Sequence, residues 1–155
     1  MIIVNTPHNP SGQVFSAADL HQLAALTRHT DIIILSDEVY EHVVFDGEPH
    51  HGMATHPQLA ERSVIISSFG KTYHVTGWRV GYCVAPAELM DEICKVHQFL
   101  MFSADTPMQY AFAEHMTDPQ TWLSLAAFYQ RKRDLLQSLL ADSPFRLLPS
   151  AGSFF

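Results

Sequence analysis

Ser67-Ser68-Phe69-Gly70-Lys71-Thr72-Tyr73-His74-Val75-Thr76-Gly77-Trp78-Arg79-Val80-Gly81 separates two apolar runs, Val64-Ile65-Ile66 and Val80 to Ala85. The pattern places one lysine on a polar, glycine-bearing turn between two strands that read as buried. A hydroxyl, Ser68, lies three residues before it and a guanidinium, Arg79, eight after. Partial desolvation of a lysine in such a turn lowers its pKa and frees the amine as a nucleophile. Serine and arginine offer a phosphate monoester a neutral donor and a planar, permanently charged fork. An amine for a carbonyl beside a cradle for a phosphate points to pyridoxal 5′-phosphate. Ser-x-x-Lys taken alone also fits acyl-transfer hydrolases.

Two upstream elements sharpen the reading. Asn5-Thr6-Pro7-His8-Asn9-Pro10-Ser11-Gly12 follows the apolar Ile2-Ile3-Val4, and Ser36-Asp37-Glu38-Val39-Tyr40 follows Ile32-Ile33-Ile34-Leu35. Each sets polar residues just past the carboxyl end of an expected strand, where open α/β sheets hold their ligands. With these three elements in order, the chain resembles the class I/II aminotransferases, which are fold-type-I pyridoxal-phosphate enzymes. The resemblance rests on Asn-Pro-x-Gly, Asp-x-x-Tyr and Ser-x-x-Lys…Gly-x-Arg-x-Gly, with Asn9 and Asp37 28 residues apart and Asp37 and Lys71 34 apart. The wording is closest to the branch of methionine, glutamine and kynurenine aminotransferases, and Thr106-Pro107-Met108-Gln109 shares that likeness.

The resemblance implies roles that the side-chain chemistry supports. Lys71 would form a Schiff base with the cofactor aldehyde and then carry the proton from substrate Cα. Asp37 would pair with the pyridine nitrogen and preserve the electron sink. Tyr40 and Asn9 would hydrogen-bond the ring oxygen, while Ser68 and Arg79 would hold the phosphate. The implied reaction moves an amino group from an amino acid to a 2-oxo acid in two half-reactions. A carbon–sulfur lyase built on the same cradle is an alternative, as is a non-catalytic remnant. A regulator with an aminotransferase-like domain would need a DNA-binding helix pair, which does not precede Met1.

Composition narrows the class. Apolar residues make up 47% and charged residues 16%, so a packed core is expected and disorder is not. A formal net charge of −7 argues against a general nucleic-acid surface. No apolar run approaches membrane-spanning length, and the first residues lack a basic-then-apolar signal. Cys83 and Cys94 make no Cys-x-x-Cys, so a reducing cytoplasm is the expected home.

Along the chain, strands and helices alternate, which predicts an α/β domain: three αβα layers around a mostly parallel sheet. Ser16-Ala17-Ala18-Asp19 reads as a capping box opening a helix with Leu20, Leu23, Ala24 and Leu26 inward. A short strand is expected at Val43-Val44-Phe45. Helices are expected from Glu88 to Leu100, from Thr106 to about Met116, and from Pro119 to about Leu140. The last would turn Trp122, Leu125, Ala126, Tyr129, Leu136 and Leu139 to the core. Phe145 to Leu148 and Ser153 to Phe155 read as strand beginnings. By resemblance, residues 1–118 form the C-terminal part of a cofactor-binding large domain, and 119–155 an interdomain helix with the start of a small domain. A homodimer is implied for the full-length enzyme, and this piece alone is expected to be catalytically incompetent.

The remaining clusters carry plainer readings. His42, His50, His51 and His56 invite a metal, but no His-Glu-x-x-His or Cys/His pairing accompanies them, so they read as solvated loop residues. Arg131-Lys132-Arg133 reads as a solvated helix face. Met90, Met101, Met108 and Met116 read as packing residues.

Overall fold

A computed structural model describes residues 1–155. Four strands form one sheet in the order β1 (Ile2–Asn5), β2 (Ile34–Asp37), β3 (Ser63–Ser68) and β4 (Gly81–Val84). The first two pairings are parallel, with Asn5 opposite Asp37 and Asp37 opposite Ile66. The last is antiparallel, with Ser67 opposite Tyr82 and Ser68 opposite Gly81. The carboxyl ends of three strands therefore meet at one edge, and β4 begins there. Gly81 passes so close to the Ser67 carbonyl that a side-chain carbon would collide with backbone.

The helices are α1 (Ala17–Thr27), α2 (Pro57–Ala60), α3 (Phe69–Thr72), α4 (Ala87–Leu100), α5 (Thr106–His115), α6 (Gln120–Leu123) and α7 (Leu125–Leu139). The expected capping box opens α1: the Ser16 hydroxyl accepts from Asp19 N–H, and the Asp19 carboxylate accepts from Ser16 N–H. Its buried stripe is Leu20, Ala24 and Thr27, spaced four and three residues. Leu26 stands well off that stripe and is exposed, contrary to expectation. Val4, Leu20, Ala24, Ile34, Met53 and Leu59 make the main core, with Ile2, Phe15, Leu23 and Ile65 packed against it. A Leu, Ile or Met side chain fully buried in this core contributes roughly 1.5–3 kcal/mol. Arg62 Nη1 secures the α1–β2 connection by donating to the carbonyls of Thr27, Thr30 and Ile32.

Several expected elements take a different form. Val43-Val44-Phe45 is not a strand, because consecutive turns precede it, with Glu41 N–H on Glu38 O and Val43 N–H on Tyr40 O. The run makes one antiparallel bridge, Val44 to Gly152, and buries Val43 and Phe45 against Leu125. Residues 145–148 and 153–155 form no strand beyond that bridge. The long helix is two, parted at Ser124. Leu125 is buried, with Trp122 and Tyr129 packed beside it, but Leu136 and Leu139 are exposed. Arg133 is not a solvated residue: its guanidinium forks onto Asp46, donates to Ser150 O at 3.0 Å, and lies over the Phe45 ring. Met101 and Met116 are exposed rather than packed. No helix is long and apolar enough to cross a membrane.

Candidate active site

Asn5, Asp37 and Ser68 close three neighbouring strands, and each of these strands runs directly into a turn. That arrangement gathers Asn9, Asp37, Tyr40, Ser68, Lys71 and Arg79 around one cleft of about 460 Å³. All six residues singled out from the sequence thus line the same space.

Asp37 is held by its neighbours. Its carbonyl accepts from Thr6 N–H at 3.1 Å and from Asn5 Nδ2 at 3.0 Å. One carboxylate oxygen accepts from Val39 N–H at 3.2 Å, an Asx turn that leaves the other oxygen without a protein donor. Tyr40 is buried, and Asn9 Nδ2 lies 3.5 Å from its hydroxyl. Burial pushes the Tyr40 hydroxyl pKa up and the Asp37 charge adds to this, against the opposing Asn9 contact. Asn9 is placed in turn by Asn5, whose Oδ1 accepts from Asn9 N–H at 2.9 Å.

Ser68 precedes α3 and its hydroxyl accepts from Gly70 N–H at 3.1 Å. One α3 residue further on, Lys71 extends its amine between two aromatic rings, 6.0 Å from the centre of Tyr40 and 5.8 Å from that of Phe154. No carboxylate is within ion-pairing distance of it. Arg79 sits at a left-handed backbone position, φ 56°, and Nη1 donates to Thr76 O at 3.2 Å.

Two contributors carried little sequence signal. Asn5 lies inside the Asn-Pro motif, and its side chain bonds both Asp37 O and Asn9 N–H. Phe154 reaches the lysine from more than 80 residues away and packs edge-on against Tyr40 with ring centres 5.0 Å apart. The histidines also differ from expectation. His50 is largely buried, with Nε2 2.8 Å from the Glu38 carboxylate, and His56 Nε2 lies 3.1 Å from His21 Nδ1. No group of three or more His, Cys, Asp or Glu side chains converges in a way that could hold a metal.

The donor set suits pyridoxal 5′-phosphate. A carboxylate with a free oxygen, a phenol, an unpaired amine, a hydroxyl and a guanidinium face one cleft, matching ring nitrogen, ring oxygen, aldehyde and phosphate in turn. A second cavity of about 360 Å³, between α7 and residues 147–155, offers no carboxylate and is lined mainly by side chains such as Leu136, Leu147 and Phe154.

Known proteins resemble the chain along its whole length. The family profile for aminotransferase class I and II matches residues 1–155. A methionine aminotransferase of Escherichia coli is 49% identical across the whole chain, which covers 40% of that relative. A kynurenine–oxoglutarate transaminase of Dictyostelium discoideum is 40% identical, again across the whole chain and 37% of the relative. The crystal structure of an Escherichia coli protein identified with a methionine aminotransferase function superposes with a TM-score of 0.95, at 49% identity, covering 98% of this chain and 41% of that one. N-Succinyldiaminopimelate aminotransferase of Mycobacterium tuberculosis gives a TM-score of 0.91 at 35% identity, over 97% of this chain and 40% of that one. The chain therefore spans about 40% of the length of the relatives it matches.

Proposed function

From the membership of this chain in the class I and II aminotransferases, we propose that it carries the cofactor cleft of an enzyme that moves an amino group from an amino acid to a 2-oxo acid. The fold is that of the fold-type-I pyridoxal-phosphate aminotransferases. The donor substrate proposed is of the methionine, glutamine or aromatic type, in line with the relatives named above. Residues 1–118 would belong to the cofactor-binding large domain, and 119–155 to the interdomain helix and the start of a small domain. A homodimer is proposed for the full-length enzyme, in keeping with exposed apolar side chains such as Phe99 and Phe102. The cytoplasm is its proposed setting.

Pyridoxal 5′-phosphate, when bound, supplies an aldehyde that condenses with amines and a ring that accepts the electron pair released at substrate Cα. Lys71 Nζ would hold the aldehyde carbon while the site waits, then carry the proton from substrate Cα to that carbon. Asp37 would keep the ring nitrogen protonated through its unengaged oxygen. Tyr40 and Asn9 would donate to the ring oxygen. Ser68 and Arg79 would grip the phosphate, with the Arg79 fork supplying two parallel donors.

The observation that supports this reading most is the Lys71 amine: free of any ion pair, in one cleft with the Asp37 carboxylate and the Arg79 guanidinium. The test is a spectroscopic titration of this chain with pyridoxal 5′-phosphate, followed by assay of the full-length enzyme on methionine, glutamine and phenylalanine with a 2-oxo-acid acceptor. Turnover that depends on the acceptor supports transamination. Pyruvate and ammonia released without an acceptor would assign the cleft to a carbon–sulfur lyase instead.

A further inference from the structure

The walls of the cleft come from three distant segments: the turn after β2 with Asp37 and Tyr40, the β3–α3 junction with Ser68 and Lys71, and the approach to β4 with Arg79. One carboxylate touches all three. Glu41 directly follows Tyr40, and its Oε1 accepts from Ser67 Oγ at 2.6 Å and from Tyr82 OH at 2.7 Å. Ser67 directly precedes Ser68 and is register partner to Tyr82, which lies three residues past Arg79. We propose that Glu41 is a positioning residue that fixes the Asp37–Tyr40 turn in register with the Ser68, Lys71 and Arg79 side of the cleft.

Both bonds are short, and one carboxylate oxygen receives both. Ser67 is buried, so its hydroxyl depends on this acceptor. The backbone ties only the beginning of the turn to β3, through Glu38 N–H on Ile66 O at 2.8 Å. Beyond Glu38 the turn bends back on itself, and the Asn9 contact to Tyr40 is long at 3.5 Å. Glu41 is therefore the side chain that anchors the far end of the turn to the sheet. Burial and then the Glu41 bond push the Tyr82 hydroxyl up to about 12. The other titratable neighbour is His42, whose Nε2 lies 3.9 Å from the same oxygen, and burial pushes its pKa down.

The inference rests on the reading of the cleft as a pyridoxal-phosphate site. In that reading Asp37 and Tyr40 meet the ring, while Ser68 and Arg79 meet the phosphate. A ligand with both parts senses the register between the two walls; inorganic phosphate engages one wall only. Affinities of the full chain for pyridoxal 5′-phosphate, and for inorganic phosphate by competition, are measured with melting temperatures of the ligand-free protein. Glu41→Ala is expected to weaken pyridoxal 5′-phosphate binding about tenfold, equivalent to about 1.4 kcal/mol, with phosphate affinity unchanged. Glu41→Gln keeps an oxygen acceptor and should restore most of that affinity. Ser67→Ala and Tyr82→Phe each remove one partner, should show the same selective loss, and should combine with Glu41→Ala less than additively. They decide the matter if Glu41→Ala does not fold. Equal loss of both ligands, or loss of neither, overturns the role of Glu41. Failure of phosphate to compete in the parent chain overturns the reading of the cleft itself, whatever the variants do.

Discussion

Lys71 Nζ stands 6.0 Å from the centre of the Tyr40 ring, with no acidic side chain in ion-pairing reach. Surface lysines are solvated and pair with whatever carboxylate is near, as Lys95 does with Glu92 at 2.6 Å. An amine held among aromatic walls has lost part of that solvation and gained no counter-charge. It suits a group that must react with a carbonyl.

In the full-length enzyme, replacing Lys71 with alanine is accordingly expected to abolish transamination. Ser68 and Arg79 remain in Lys71→Ala, so cofactor binding driven by the phosphate should survive in part. Equilibrium dialysis against turnover separates the two effects. Retained turnover would remove Lys71 from the chemistry.

Asp37→Asn keeps the shape of the turn and removes its charge. A hydrogen bond to a charged group is worth about 1.5–3 kcal/mol, so the loss should be plain in the kinetics. Proton abstraction is expected to fall far more than cofactor occupancy, because the electron sink matters most in the transition state. Comparing kcat of the full-length enzyme at saturating cofactor with its cofactor Kd checks this. Equal kcat in variant and parent would contradict the role.

Packing supplies a prediction independent of function. Leu59 is fully buried in the main core, and Leu59→Ala should cost about 2–5 kcal/mol in unfolding free energy. Leu26, on the same domain but 77% exposed, should tolerate alanine within about 0.5 kcal/mol. Chemical denaturation of the two variants decides it, and similar midpoints would show that the core is misplaced.

Much of this arrangement was legible in the residues, for reasons that can be named. The capping box of α1 is local, so Ser16 and Asp19 announce it. The six cleft residues sit beside strand ends, and strand ends are marked by the switch from apolar runs to polar turns. Direction is not written in such runs, and the antiparallel β4 was not apparent beside its parallel neighbours. Val43-Val44-Phe45 has the composition of a strand, but α7 buries it across 80 residues of chain. His50 looked solvated because nothing nearby in sequence shows that the turn after β2 folds Glu38 over it. The Glu41 bonds to Ser67 and Tyr82 span 26 and 41 residues and had no local signature.

Glu38 gives a pH prediction. Burial raises its pKa, but hydrogen bonds from His50, Met53 N–H and Ser36 outweigh that and leave it below the ordinary 4.5. A carboxyl depressed in the folded state adds stability that is fully present above its unfolded pKa and lost as pH falls through the folded one. Glu38→Gln should therefore melt below the parent at neutral pH, with the gap narrowing as pH drops below about 4.5. A gap that widens in acid would reverse the sign and exclude this account.

The central claim is that Lys71 is the residue to which pyridoxal 5′-phosphate attaches. The most direct measurement is borohydride reduction of the cofactor-loaded protein, followed by proteolysis and mass-spectrometric mapping of the pyridoxyl group. The label is expected on the peptide containing Lys71, in amounts that follow cofactor occupancy. Label on Lys95 or Lys132, or none at saturating cofactor, would contradict it.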